Sequence, residues 1–563
     1  MTGASDLSHI LSELADLAEI RGAAATAADL RRARTAITAL PSADTRALLQ
    51  RARRNRLRSE PGISPTLHWR LHEIALGGGA PSLAAARAGT PALFRDLFRL
   101  ELIAPAEAVA LVRQFGILTL PDLAVTLDDE RLTALVGQEV TSRLRSAAGV
   151  LISGARPVTL GRAFDLLDRF ATAFAASCSG IEEIAIAGDV RRYEPLPQSL
   201  ALVARAADPP SAVESLCALP GIEDVLHRGS RRAVLLVQQS EIDVRLATRD
   251  DFGTVLFRAT GPPAHVVAVQ RRRSTPRLAG GEADVYAHAG LPYLPPELRR
   301  GIGETDAAAR PDLPRLVTRE DIRGDLHMHT TYSDGRDTLA VMVAECCALG
   351  YEYLAITDHS PTAAASRTVS LDQLERQREE IAVLRERFPS IVILHGIEAD
   401  ILPDGRLDFD DRVLASLDIV LASLHERAGQ DGPALTRRML AAIRHPLVAV
   451  ITHPANQLVG QRGGYPLDFP AIYEAAAETG TALEIDGAPG HLDLDGDRAR
   501  EAVAAGVTVC IDSDCHRARS LGRQMQLGVG TARRGWVEPH HVLNTRPIGD
   551  VRAFIAAKRR ARG

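Results

Sequence analysis

The sequence predicts a multidomain protein of mixed α+β and α/β class. Helices come first, helices and strands mix in the middle, and a parallel α/β barrel comes last. Three observations carry this reading. The chain has 563 residues, too many for one core when domains run to about 100–200 residues. Its apolar periodicity changes from helical, to mixed, to strand alternating with helix. Nine metal-ligand side chains in the C-terminal half lie at or just beyond the ends of short apolar runs. A parallel barrel gathers strand C-termini on one face, where enzymes of this architecture keep their chemistry.

Taken in order, residues 1–90 read as helices. ASDLSHILSELADLAEI has helical apolar spacing behind an Asp/Ser start, and EPGISPTLHWRLHEIALGGG sets a Pro-Gly turn before a helix and a Gly stop after it. A second helical block covers 91–150. Residues 151–310 mix helices with the strand-like runs EEIAIAGDV, SLALVARA, RAVLLVQ and EIDVRLAT. PDLPRLVTREDI, residues 311–322, is a Pro-rich linker. Residues 323–563 then alternate strands and helices. No fixed-period repeat or long low-complexity tract interrupts the chain.

Hydrophobic residues make up 46% and charged residues 24%, ordinary for a globular protein. The net charge of −5 excludes a polycation, so nucleic-acid binding needs a local basic patch. None of the six cysteines forms a CxxC pair, and vicinal Cys346-Cys347 cannot bridge without strain. Reduced thiols and a cytoplasmic location are expected. The start, MTGASDLSHILSEL, has no basic flank, and no run of about 18 apolar residues occurs, so secretion and membrane insertion are not expected. Lys558 is the sole lysine; nearly all positive charge is arginine.

The nine candidate ligands are His327, His329, Asp334, His359, Glu398, His425, His453, Asp514 and His516. LAIT precedes Asp358-His359, IVILHGI precedes Glu398, IVLASL precedes His425, VAVIT precedes His453 and VTVCIDS precedes Asp514; Asp334 lies in a loop beyond its strand. Residues i and i+2 of a strand share a face. His327 and His329 therefore point together into the mouth, as do Asp512, Asp514 and His516, with Asp512 deeper. His395, three residues from Glu398, should face away and pack. A lone histidine is usually a packed core residue, but so many strands ending in a ligand are not explained by packing. Four-coordinate catalytic sites need only three protein ligands and a water, so nine suit two or three ions.

The pieces DLHMHTTYSDG, ITDH, GIEADI, ASLH, THP and SDCH resemble, in order, the polymerase and histidinol phosphatase (PHP) family of metal-dependent phosphoesterases. The resemblance implies a distorted (β/α)7 barrel with two to three divalent ions. It implies one ion on His327, His329, Glu398 and Asp514, holding the catalytic water. It implies a second on Glu398, His425 and His453, with Glu398 bridging, and a third on Asp334, His359 and His516. An imidazole-rich set favours zinc or manganese over magnesium. Arg427, Arg462 and Arg517 follow these strands; phosphate clamping and ordinary solvation both remain open for them.

The rest resembles, through AGDVRR, EIDVRLAT, FGTVLFRATG, LPYLPPELRRGIGE and the tail ARRGWVEPHHVLNTR, bacterial family X DNA polymerases with a C-terminal PHP domain. That implies a lyase-like helical domain with a degenerate helix-hairpin-helix at 1–90 and a fingers-like helical domain at 91–150. Mixed α+β palm and thumb would fill 151–310, followed by the linker at 311–322 and the PHP barrel at 323–563. The departures matter more than the matches. Nucleotidyl transfer needs three carboxylates around two magnesium ions. The first two positions fall on Ser199 and Ala201, and only the third, Asp243, keeps its acid. Asp189 stands where the family's turn has a serine, and Pro262 ends the Thr-Gly-Ser turn; Arg258-Ala259 replace an aromatic pair, and Val266 and Gln270 an asparagine and an arginine. Polymerase activity is therefore expected to be lost, unless a local misalignment hides carboxylates at Asp208 or Glu194. Abasic-site lyase chemistry needs a lysine amine, and none precedes Lys558. Pro61-Gly62-Ile63-Ser64 keeps part of one hairpin, while Glu101-Leu102-Ile103-Ala104-Pro105 lacks glycines.

Arg51, Arg53, Arg54, Arg56 and Arg58 form one basic run and Arg271, Arg272 and Arg273 another; with Arg191 and Arg192 they are candidate nucleic-acid contacts, or solvated faces. The function read from the whole is a metal-dependent phosphoesterase on DNA, a 3′–5′ exonuclease with 3′-phosphatase or abasic-site endonuclease as variants, acting in repair. Its partner is DNA, single-stranded, gapped or at 3′ ends, with no membrane. A monomer is the working expectation. The rivals are an active polymerase with a PHP exonuclease, a small-molecule phosphatase of histidinol-phosphatase type, and a non-catalytic DNA-binding scaffold.

Overall fold

The computed structural model describes residues 4–39, 42–57, 65–77, 80–100, 102–127, 129–138, 140–145, 158–272, 278–308, 313–363, 365 and 367–560. Arg58, the Pro61–Ser64 hairpin and Arg273 lie outside them.

The first helices, Ala4–Ile20 and Ala24–Thr38, lie against each other and bury Leu7, Leu11 and Leu30 with Leu71 and Ile74 of Pro65–Gly77. A second helical layer, Ala92–Arg99, Pro105–Phe115, Leu120–Thr126 and Glu130–Val136, packs Phe94, Leu97 and Leu111 against Leu226 and Val234 of the sheet that follows. Among the described residues no single helix is long and apolar enough to cross a membrane. The bent pair Pro105–Phe115 and Leu120–Thr126 passes by composition, but it buries Val109, Leu111 and Leu123 in this core.

The body sheet has five strands: β1 Ile181–Ala187, β2 Leu200–Ala206, β3 Asp224–Arg228, β4 Arg232–Val237 and β5 Ser240–Ala247. Their order is β1-β2-β5-β4-β3, with only β2 and β5 parallel. The helix Leu160–Ser177 covers one face, burying Phe164, Leu167, Phe170 and Phe174.

The barrel strands are β6 Gly324–Asp325, β7 Tyr353–Ile356, β8 Val392–Asp400, β9 Ile419–Ser423, β10 Val450–Ile451, β11 Ala482–Asp486 and β12 Val509–Asp512. They pair in sequence order, all parallel. A parallel bridge from Met328 to Cys515 joins the first strand's extension to the last, nearly closing the ring. Two buried carboxylates reinforce this seam: Asp512 Oδ1 accepts the Leu326 amide at 2.8 Å, and Asp325 Oδ1 accepts the Ser513 amide at 3.2 Å. Burial and the neighbouring Asp512 push the Asp325 carboxyl up to about 7.

The barrel interior is filled by Leu326, Tyr353, Leu394, Leu421, Val450 and Cys510, and closed below by Val551 and Ile555 of the helix Ile548–Arg560. This plug leaves only the C-terminal mouth for polar groups. Strands β6 and β10 are two residues long, shorter than the runs DLHMHT and VAVIT. Glu398 differs from its expectation too. It lies within β8, opposite Leu421, and the strand runs on to Asp400.

Candidate metal centre

Every one of the nine expected ligand side chains reaches the barrel mouth. His327, His329 and Glu398 are fully buried, and His359, His453 and Asp514 are at most 7% exposed. Glu398 is the hub. Its Oε1 lies 3.0 Å from His453 Nε2, 3.6 Å from His425 Nε2 and 3.6 Å from His327 Nε2. Its Oε2 lies 2.7 Å from His359 Nδ1 and 3.8 Å from His329 Nε2. Asp514 Oδ1 faces His329 Nε2 at 2.9 Å and His327 Nε2 at 3.6 Å. Asp334 Oδ1 faces His516 Nε2 at 3.2 Å and His359 Nε2 at 3.5 Å.

The donor set fits divalent cations. His327 Nε2 and His329 Nε2 meet at 3.1 Å, both turned toward Asp514 Oδ1. His359 Nδ1 and Glu398 Oε2 are close yet make no hydrogen bond, and His329 Nδ1 and His453 Nδ1 are buried without partners. Buried ring nitrogens and carboxylate oxygens left without protein partners are free to meet cations. Three groups are close enough to share an ion: His327, His329 and Asp514; His359, Glu398 and His425; and His329, Asp334, His359 and His516. Relative to the expected partition, His329 also joins the third group and His359 stands in the second in place of His453, while Glu398 falls outside the first and His453 outside all three.

Local backbone strain helps. His453 and Asp514 have φ of 27° and 47°, in the left-handed region that disfavours side chains. Both sit two residues past a strand end, where the turn swings the side chain into the mouth. Electrostatics agrees. Burial alone would raise the Glu398 carboxyl, but His327, His425 and His359 hold it well below the carboxylate range. Burial likewise opposes ionisation of Asp334, but the hydrogen bond from His516 and the charges of His359 and His516 outweigh it, to about 2.

Sequence reasoning missed the residues behind the ligands. His327 Nδ1 donates to Glu484 Oε1 at 2.6 Å, and His425 Nδ1 donates to Asp400 Oδ1 at 2.9 Å. Each carboxylate fixes a tautomer and leaves Nε2 facing the mouth. Asp400 was signalled by its i+2 spacing from Glu398; Glu484, inside the run ALEID, had no such signal. Buried Asp358 organises the loop before Asp334, accepting from Thr330 N and Thr330 Oγ1, each at 2.7 Å, and from Gln377 Nε2 at 2.6 Å. His395 is buried against Gln377 at 3.1 Å, away from the mouth.

The second expected site has no such geometry. The parallel register sets Ala201 beside Asp243, which supports the gap-free alignment. Asp243 is occupied: Arg232 donates to it at 2.7 and 2.9 Å, and Arg245 at 3.0 Å. Glu194 pairs with Arg534 at 3.0 Å and Asp208 caps the helix Pro209–Cys217 through Ser211 N at 3.4 Å, so neither supplies the missing acids. The cavity bordered by Ser199, Glu241 and Asp243 holds about 130 Å³, below the usual range for ligand pockets. Lys558 is buried at the barrel base, donating to Ile443 O and Thr481 Oγ1, both at 2.6 Å.

Two of the expected nucleic-acid contacts turn inward. Arg192 is buried, with its guanidinium 2.5 Å from Thr260 O and 2.5 Å from Asp189 Oδ1. Arg191 binds Thr260 Oγ1 at 2.8 Å and both oxygens of Glu282, at 3.1 and 2.9 Å. These guanidinium groups brace the turn that Asp189 caps, because Asp189 Oδ2 also accepts Gln198 N at 2.8 Å. Arg51, Arg53 and Arg54 are exposed near the end of the helix Ser42–Arg53, and Arg271 and Arg272 are exposed at the end of Pro263–Arg272, where Arg272 pairs with Asp306 at 2.5 Å.

A nearly closed seven-stranded parallel barrel with this mouth defines a metal-dependent hydrolase of the PHP type, here joined to a helical and α+β body. Residues 325–466 match the PHP domain family model. The chain is 30% identical over 515 residues to the DNA polymerase/3′-5′ exonuclease PolX of Bacillus subtilis, covering 88% of this chain and 90% of that protein. It belongs to the PolX family. A probable phosphatase of Shewanella oneidensis is 36% identical over 216 residues, covering 35% of this chain and 78% of its own. The solved histidinol phosphate phosphatase of Lactococcus lactis, complexed with zinc, L-histidinol and phosphate, is 19% identical. It covers 38% of this chain and 95% of its own, with a TM-score of 0.30.

Proposed function

We propose that this protein is a metal-dependent phosphodiesterase that removes nucleotides from DNA 3′ ends in repair, and that it no longer synthesises DNA. The observation that carries this is the convergence of nine imidazole and carboxylate side chains on one buried mouth, with Glu398 touching four of the histidines on separate strands. The body and the PolX relative supply DNA as the substrate.

Zinc or manganese ions held there would neutralise a phosphodiester, lower the pKa of a water toward about 7 and stabilise the leaving oxygen. The protein's own part is positioning. Glu484 and Asp400 orient two imidazoles, the barrel plug excludes water from below, and Glu398 links the three groups. Arg462 stands exposed on the loop after β10, with its guanidinium anchored by Asn456 O at 3.0 Å and Asn456 Oδ1 at 2.9 Å. It is the arginine best held to meet a phosphate. Asp243, neutralised by two arginines, has no role in nucleotidyl transfer.

The test is shortening of an oligonucleotide, labelled at its 5′ end, by protein supplied with Mn²⁺. The His327→Ala/His329→Ala variant should lose at least about 10²-fold in rate, as when a principal electrostatic element is removed. Equal rates for both proteins would sink the assignment. Primer extension that Asp243→Asn abolishes would instead revive polymerase chemistry. Hydrolysis of a small phosphate monoester with no action on DNA would favour the phosphatase reading, which the barrel-only relatives motivate.

A further inference from the structure

Strand β11 contributes none of the nine side chains, yet its end is built like its neighbours' ends. It closes with Asp486, which is fully buried. Asp486 Oδ1 accepts the Ala488 amide at 2.6 Å, while Oδ2 is buried with no partner. The turn that follows carries His491, whose Nδ1 is also buried and unpartnered. Ligand atoms of Asp486, His491 and Asp514 all lie within 4.8 Å of one another. The His491 ring stacks on that of His453, with centroids 5.2 Å apart and planes at 23°. A buried carboxylate oxygen without a donor is unfavourable unless a proton or a cation meets it.

We propose that Asp486, His491 and Asp514 form a further divalent-cation position, contiguous with the nine-residue cage and sharing Asp514 with it. The proposal rests on the reading of those nine as metal ligands. One imidazole and two carboxylates suit the zinc or manganese class and leave a coordination position open for an anionic oxygen.

Its place in the molecule says which phosphate it would meet. The His491 turn is wedged between barrel and body. Gln457 Nε2 donates to His491 O at 3.0 Å and to Leu492 O at 2.8 Å, and Val459 N donates to Gly490 O at 2.8 Å. Leu492 packs into the core of the body sheet. The loop from Gln457 to Gly463 borders a cleft of about 530 Å³ against Glu194, Pro195 and Arg300. A cation here would sit on the body-facing side of the mouth. It would hold a phosphate of the strand arriving from the body, next to the one being cut.

The experiment is metal content per chain, by elemental analysis of full-length protein equilibrated with Zn²⁺ and dialysed. Unmutated protein should carry one ion more than the Asp486→Asn/His491→Ala variant, which should keep the ions of the nine-residue cage. Equal content in the two overturns the proposal. Unmutated protein without tightly held zinc overturns both this proposal and the reading beneath it, so the two failures are distinguishable. Should the variant misfold, zinc-edge anomalous diffraction from the unmutated chain decides. A peak within bonding distance of Asp486 and His491, about 2.0–2.2 Å, supports the site, and no peak there ends it.

Discussion

His327 donates from Nδ1 to Glu484, so a single proton leaves its Nε2 bare toward the mouth. Glu484→Gln keeps an acceptor but loses the charge and the certainty of the tautomer. Zinc affinity, measured by chelator competition, should fall about 10–100-fold with the fold intact; unchanged affinity would show that Glu484 does not orient the ligand. A second buried polar set titrates in a different window. His265 Nδ1 donates to Glu304 Oε1 at 2.6 Å and its Nε2 accepts from Tyr286 Oη at 2.8 Å. Burial opposes the charge on Glu304, but the His265 bond and the Gly301 amide hold its carboxyl at about 2, below the ordinary 4.5. A depressed carboxyl contributes stability that is complete above the unfolded value and lost as pH falls toward the folded one. Thermal melts should show the unmutated protein losing stability between pH 4.5 and about 2 more steeply than Glu304→Gln. Parallel curves would refute this. At this scale the nine ligands were legible because most of them pair a ligand type with the end of an apolar run. Glu484, Asp486 and His491 were not, because a lone acid or histidine near β11 matches no ligand spacing until the barrel closes around it.

At the scale of elements, a four-charge clasp joins the second helical layer to the body sheet. Asp122, in the first turn of Leu120–Thr126, receives Arg232 at 2.7 Å and Arg245 at 2.9 Å, and both arginines also bind Asp243. Glu241 of β5 adds a bond to the Ala92 amide at 2.8 Å. Asp243 is thus held in a structural joint. Removing one member of such a network leaves buried charge uncompensated, so Asp122→Ala should destabilise the protein by about 3–5 kcal/mol in chemical denaturation; a loss within 0.5 kcal/mol would refute the clasp. The sequence disclosed the missing acids at Ser199 and Ala201. It did not disclose the clasp, since Asp122 lies more than 100 residues before Arg232 and nothing local marks the pair. Strand β10 ends early for a related reason: His453, two residues past it, takes a left-handed φ of 27°.

At the scale of the molecule, the barrel meets the body through the helix Leu521–Arg534. Leu527 enters the core of the body sheet, and Arg533 pairs with Glu297 at 2.7 Å and Arg534 with Glu194 at 3.0 Å. Arg523 binds Asp168, and Arg300 of the body binds Asp497 of the barrel. The order of units along the chain was readable from periodicity and motif; this docking was not, because the helix's arginines look the same whether paired or solvated. Packing is tight at Gly530, where an added Cβ would stand 1.9 Å from Tyr193 Cδ1. No rotation of a valine there avoids the ring, so Gly530→Val should pry the two units apart while leaving each core untouched. Calorimetry should then resolve two transitions where tight docking couples the units in the unmutated protein. The catalytic consequence follows from the proposed role of the body in presenting DNA to the mouth past the cleft between Glu194, Arg300 and the 457–463 loop. KM for an oligonucleotide should rise about tenfold, equivalent to about 1.4 kcal/mol of lost binding, while the turnover of a small phosphodiester such as bis-p-nitrophenyl phosphate stays within about twofold. A parallel loss on both substrates would mean the variant damages the metal mouth itself. An unchanged KM would mean the body does not present DNA to the barrel.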